Sequence, residues 1–117
     1  MPNAGQIVVF NFPQTNLVSG KLRPALLLGK LPGPYDDWLV CMLSTQLRHY
    51  IPAFDELIQP TDPDFVQSGL KSASVIRVGR LAVVDGGLLL GATGEISPQR
   101  LQRIKTHLSN WLQQPER

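Results

Sequence analysis

Apolar and polar residues follow one another in short runs through the first two-thirds of the chain, and only near the C-terminus do they take up helical spacing. Gln6-Ile-Val-Val-Phe-Asn-Phe12 is β-branched and aromatic and stops at Pro13, which predicts a strand. Pro13 to Lys21 carries Gln, Thr, Asn, Ser and Gly, the chemistry of a loop. Arg23-Pro-Ala-Leu-Leu-Leu-Gly29 predicts a buried strand with its proline near the start, where a missing ladder donor is tolerated. Leu31 to Asp37 is turn material, and Trp38 to Gln46 reads as a third strand. Its alternation puts Trp38, Val40, Met42, Ser44 and Gln46 on one face and Leu39, Cys41, Leu43 and Thr45 on the other.

A short fourth strand is expected around Glu56 to Gln59. The stretch from Pro60 to Ser72 is too long and too punctuated for a hairpin loop, and long loops of this kind are often functional. Ser74 to Val78 is the fifth predicted strand, Asp85-Gly-Gly87 a turn, and Leu88 to Ile96 a sixth strand. Gly91 and Gly94 interrupt that strand and suggest bends that let a small sheet curl. Ser97 is a good N-cap and Pro98 suits the first helical position, where its absent N–H costs nothing. Leu101, Ile104, Leu108, Trp111 and Leu112 then give one apolar face, and Pro115 ends the helix. The pattern describes a mainly β chain, a small barrel of short strands capped by one terminal helix, in a single domain over 1–117.

Composition narrows the function classes. With 117 residues, 43% hydrophobic and 17% charged, the chain is globular in character. Its longest apolar runs, Ala25 to Leu28 and Trp38 to Leu43, fall far short of the roughly 20 residues of a membrane span, so no membrane association is expected. The N-terminal Met1-Pro-Asn-Ala-Gly-Gln6 lacks the basic-then-apolar pattern of a secretory signal, which points to a cytoplasmic location. A net charge of +2 permits a nucleic-acid partner without demanding one. Cys41 stands alone, so no intrachain disulfide forms, and with only two histidines a Cys/His zinc site is out of reach.

Few residues offer chemistry by themselves. Arg23 sits where a loop enters a buried strand, and its planar fork suits a phosphate, although an arginine in such a place more often covers the rim of the barrel. Ser44 and Gln46 turn an apolar strand face polar, which either presents a hydroxyl to a ligand or marks emergence into solvent. Arg77 interrupts the apolar Val75-Ile-Arg-Val78 and points to the face opposite Ile76, which by itself reads as a solvated outer face. His49, in the polar stretch Gln46 to Tyr50, can titrate near neutrality or lie inert on a loop. His107, near Arg100, Arg103 and Lys105, reads as part of a solvated helix face, and Cys41 as core. Asp64 and Phe65 either stack on a base or anchor their loop.

The order of the segments resembles the MazF/PemK family of type II toxins over nearly the whole chain. The residues that carry the likeness are Gly5-Gln-Ile-Val8, Phe12-Pro13, Lys21-Leu-Arg-Pro-Ala-Leu26, Leu39-Val-Cys-Met-Leu-Ser-Thr-Gln46, Asp64-Phe65, Ser68-Gly-Leu-Lys71, Ser74-Val-Ile-Arg77 and Gly94-Glu-Ile-Ser97. The resemblance implies an SH3-like barrel of five to seven strands with a C-terminal α-helix, forming a homodimer. It also implies a metal-independent endoribonuclease, an mRNA interferase that cleaves single-stranded RNA at short motifs, needs no cofactor and is silenced by a cognate antitoxin. Arg23 and Ser44 correspond to the family's catalytic arginine and hydroxyl residue, Ser44 replacing the threonine of many relatives. Arg48, Lys71 and Arg77 are the implied basic lining of an RNA groove, with Gln46 for base contacts. Some members pair the Arg77 equivalent with an aspartate two residues later and a histidine in the first long loop; this chain has Gly79 at the former position and no histidine between Pro13 and Lys21. A non-enzymatic inhibitor of the gyrase-poison type shares the barrel but lacks the Arg-Pro strand motif, and a degenerate SH3-like binding module is the third alternative.

Overall fold

The computed structural model describes residues 2–12 and 21–115; the loop expected after Pro13 lies, up to residue 20, outside the described residues. The elements run β1 (Gln6–Phe12), β2 (Lys21–Lys30), β3 (Asp37–Ser44), a 3-10 turn (Leu47–His49), β4 (Glu56–Ile58), α1 (Phe65–Ser68), β5 (Ser74–Asp85), a second 3-10 turn (Gly86–Leu88), β6 (Leu89–Glu95) and α2 (Pro98–Gln113). The strands form one six-stranded sheet in the order β4-β5-β3-β2-β1-β6, and every neighbouring pair is antiparallel. The expected mainly β architecture with a C-terminal helix is the one the chain adopts.

Both faces of this sheet are buried at its centre, as the unbroken apolar run Ala25 to Leu28 requires: all four side chains are buried. One face gathers Ile7, Leu26, Leu28, Cys41, Leu43, Ile76 and Val78 under Ile104 and Leu108 of α2. The other gathers Val8, Phe10, Ala25, Leu27, Trp38, Val40 and Val84 into a second cluster. A flat sheet with one helix could not bury both, so curvature is essential to the fold. It is supplied by register shifts. In β1–β6 pairing, Ile7 faces Gly94 while Val8 faces Ala92, and Val9 faces Gly91 while Phe10 faces Leu89. The two interrupting glycines thus sit where the ladder breaks. Gly94 has a second task, because any Cβ there would collide with the backbone of Gln67 and Ser68 in α1.

Two strands differ from expectation. β5 runs on from Val78 to Asp85, and β3 stops at Ser44 rather than Gln46. Gly79-Arg80 looks like a break in the local pattern, but it is absorbed as a bulge opposite the Cys41–Met42 step, beyond which Leu81 to Asp85 pair with Cys41 back to Asp37. The helix starts as its sequence requires, with the Ser97 hydroxyl accepting the Arg100 amide at 3.1 Å. Ile104 and Leu108 of its apolar face are buried, whereas Trp111 and Leu112 stay exposed. No helix among the described residues is long and apolar enough to cross a membrane.

Candidate functional site

Strand register decides which of the chemically capable residues meet. Ala25 pairs with Met42 across β2–β3, and Met42 pairs with Arg77 across β3–β5. Paired residues project to the same side of a sheet, and so do residues two apart along a strand. Arg23, two residues from Ala25 and paired with Phe10, therefore lies on the face of the second core cluster, toward the same rim as Ser44. Arg77 shares that face one strand further over. Beyond half-buried Met42 this face carries Ser44 on β3 and Arg23 and Arg77 on the flanking strands, with the buried Val75 directly opposite Ser44.

Arg23 is exposed and makes no ion pair with any of the described residues. A guanidinium held at the end of a buried strand without a counter-ion is poised to take an external anion. Arg48, Arg77 and Arg80 are likewise without a carboxylate partner, since the ion pairs of the described residues all belong to Arg100 and Arg103.

Ser44 is more tightly placed than its position at a strand end suggests. Its Oγ accepts the amide hydrogen of Gln46 at 3.0 Å and lies 3.0 Å from Nδ1 of His49. The chain turns back after β3 through the 3-10 turn Leu47–His49, and this return brings the imidazole onto the hydroxyl. The segment is fixed to β5 by Asp55, whose buried carboxylate accepts the amides of Ile51 and Val78, each at 3.0 Å. Partial burial, and then the cations Arg77, Arg48 and Arg80, hold the His49 pKa below the ordinary histidine value.

Of the remaining RNA-lining candidates, Gln46 enters the site through its backbone, with an exposed side chain, and Arg48 is exposed on the same turn. Lys71 is exposed in the segment between α1 and β5, and no hydrogen bond or ion pair ties it to the Ser44 cluster. Sequence reasoning left His49 undecided and passed over Arg80. The available signal was the repeated arginine of Arg77-Val-Gly-Arg80, which begins within the strand expected over Ser74 to Val78.

Asp64 and Phe65 take the anchoring role. Phe65 packs against the core under α2, and Asp64 is buried against the guanidinium of Arg100, with contacts of 2.8 Å from Nε and 3.1 Å from Nη2. Arg100 also reaches Glu56 at 3.0 Å and the Leu57 carbonyl at 3.1 Å. Two residues depart from the solvated helix face expected here: the Arg100 side chain is buried, and half-buried His107 has Nδ1 3.0 Å from the carbonyl of Phe54, whereas Arg103 and Lys105 are exposed. Among the described residues no three His, Cys, Asp or Glu side chains converge as metal ligands.

A family model described as the PemK-like, MazF-like toxin of type II toxin–antitoxin systems matches residues 3–112. The chain belongs to this toxin family. Solved structures agree at the level of the fold. This PemK/MazF-type chain is similar to a mycobacterial endoribonuclease solved with its cognate antitoxin, at 20% identity and a TM-score of 0.67, with both chains fully covered. It is similar to the Mycobacterium tuberculosis toxin MazF-mt6, at 16% identity and a TM-score of 0.67, over 95% of this chain and 99% of that one. A chain of a MazE–MazF complex from Deinococcus radiodurans matches at 23% identity and a TM-score of 0.69, over 97% of each. No curated protein matches significantly. The family match spans both Arg23 and the Ser44 turn, so the cationic rim lies within the region that the family model covers.

Proposed function

We propose that this PemK/MazF-type toxin is a metal-independent endoribonuclease that cleaves single-stranded RNA by attack of a ribose 2′-hydroxyl on the adjacent phosphate. The observation that carries the reading is the rim itself: Arg23 on the same sheet face as the Ser44 hydroxyl and Arg77, with Arg48 and Arg80 adding positive charge, and none of these arginines ion-paired among the described residues. Such a site binds a phosphodiester and stabilises the extra negative charge of a pentacoordinate phosphorane. Arg23 supplies that charge, and Ser44 orients the phosphate through its hydroxyl. Gln46, Arg48, Lys71 and Arg77 line the path of the strand. Splayed single-stranded bases expose the edges that sequence selection requires.

The same reading makes the active form a homodimer in which two rims join into one groove, covered in the silenced state by an acidic segment of the cognate antitoxin. A cytoplasmic site of action goes with it, because the substrate is cellular RNA.

The test is incubation of purified protein with a long, mixed-sequence transcript in EDTA, followed by mapping of the new 5′ ends. Cleavage at a recurring short motif is expected, leaving 2′,3′-cyclic phosphate and 5′-hydroxyl ends. Arg23→Ala is expected to lower the rate about a hundred- to a thousandfold, as loss of a preorganised charge donor does. Folded Arg23→Ala protein that cleaves at the wild-type rate removes the assignment. Growth arrest without RNA cleavage would point instead to a gyrase-type inhibitor.

A further inference from the structure

The proposed cleavage has to move a proton off the 2′-hydroxyl, and neither Arg23 nor Ser44 can accept it. An arginine stays protonated at any pH the protein meets, and a serine hydroxyl is a far weaker base than the reaction needs. One group beside Ser44 does fit. The His49 imidazole lies 3.0 Å from the Ser44 hydroxyl through Nδ1, on a turn that Asp55 ties down at both Ile51 and Val78.

We infer that His49 is a catalytic residue, the general base that removes the 2′-hydroxyl proton of the bound RNA, with Ser44 fixing its tautomer. The inference rests on the ribonuclease reading above. Ser44 Oγ has two lone pairs, and the Gln46 amide occupies one. If Nδ1–H donates to the other, the serine O–H is left to bind a phosphate oxygen and Nε2 keeps its lone pair. Nε2 has no hydrogen-bond partner among the described residues. The charges acting on the ring are Arg77 and Arg80 from β5 and Arg48 from its own turn, all cations that favour the neutral, proton-accepting form.

The step balances within the substrate and solvent. The 2′-oxygen gives its proton to Nε2 as it bonds to phosphorus. The P–O5′ bond breaks with its electron pair on the 5′-oxygen, which takes a proton from water. The imidazolium returns its proton to solvent, leaving a 2′,3′-cyclic phosphate and a 5′-hydroxyl.

The experiment measures kcat/KM against pH for the full-length protein on a synthetic oligoribonucleotide containing the mapped cleavage motif. The wild type is expected to rise with unit slope and level off, the inflection falling below the ordinary histidine value near 6.5. His49→Gln is expected to lose that ascending limb and drop the plateau about a hundred- to ten-thousandfold. His49→Ala is expected to regain part of its rate when free imidazole is added, a rescue that a merely structural loss would not allow. Circular dichroism on both variants shows whether they fold. A His49→Gln enzyme that keeps the limb and the plateau overturns the assignment of the base, while loss of activity in Arg23→Ala in the same series keeps the ribonuclease reading intact. Absence of cleavage by the wild type overturns both.

Discussion

Individual residues in this chain owe their chemistry to neighbours far away in sequence. Cys41 alternates inward on β3 and is fully buried, and burial, with a smaller contribution from the Asp55 charge, pushes its thiol up to about 12. At pH 8 only about one thiol in ten thousand would be ionised, and the thiolate is the nucleophile. Iodoacetamide should therefore leave the native protein unlabelled for hours and react promptly in denaturing urea; native labelling at the free-thiol rate would contradict the buried placement. His49 is the opposite case, a half-buried ring whose pKa is lowered first by burial and then by the arginines around it, which favours the form that accepts a proton. The alternation of β3 made Cys41 legible as core from sequence. His49 was not legible, because nothing local shows that a turn folds its ring back onto Ser44.

Among the elements, α2 has the most telling attachment. Its apolar stripe packs Ile104 and Leu108 against the sheet, and its first turn is held by Arg100. Burial alone would raise the Asp64 pKa, but the Arg100 guanidinium and the Ser97 amide overcome it and hold the carboxyl below its usual value. A carboxyl that is more acidic in the folded state stabilises the fold above its ordinary pKa near 3.9, and that contribution is lost as pH falls through the native value. Thermal melts of the wild type should accordingly drop steeply below about pH 4, and Asp64→Asn should flatten that drop. At pH 7 Asp64→Asn is expected to cost about 3 kcal/mol, at the lower end for a broken buried pair because Glu56 still faces Arg100. Chemical denaturation at the two pH values checks both. Unchanged stability would mean that the clamp does not hold the helix. The N-cap and apolar spacing of α2 were plain in the sequence, whereas the burial of Arg100 was not, since its partner Asp64 lies 36 residues away.

Across the whole molecule, a modest net charge of +2 conceals an uneven distribution. The acids Glu56, Asp62 and Asp64 are consumed by Arg100, with Arg103 sharing Glu56, while Arg23, Arg48 and Arg77 have no ion-pair partner among the described residues. If those three arginines each contact a phosphate, the logarithm of affinity for single-stranded RNA should fall with the logarithm of salt concentration at a slope of about −2. Arg48→Ala should reduce that slope by about 0.7 and weaken all sequences alike. A 2′-O-methyl oligonucleotide, which cannot be cleaved, allows the titration on the unmodified protein. A salt-independent affinity would argue against phosphate contacts by this rim.

The strands of alternating or unbroken apolar residues, the capped terminal helix and the bends at Gly91 and Gly94 were fixed by local sequence, because periodicity and backbone preference act over only a few residues. The tertiary structure alone decided the bulge that carries β5 through Gly79-Arg80, the register that turns Arg23, Ser44 and Arg77 to one face, and the return of His49 onto the serine. The first two depend on pairing between segments distant along the chain, and the third on a turn whose following segment Asp55 ties to Val78 of β5. A shift of one residue in the β2–β3 pairing would send Arg23 and Ser44 to opposite sides of the sheet.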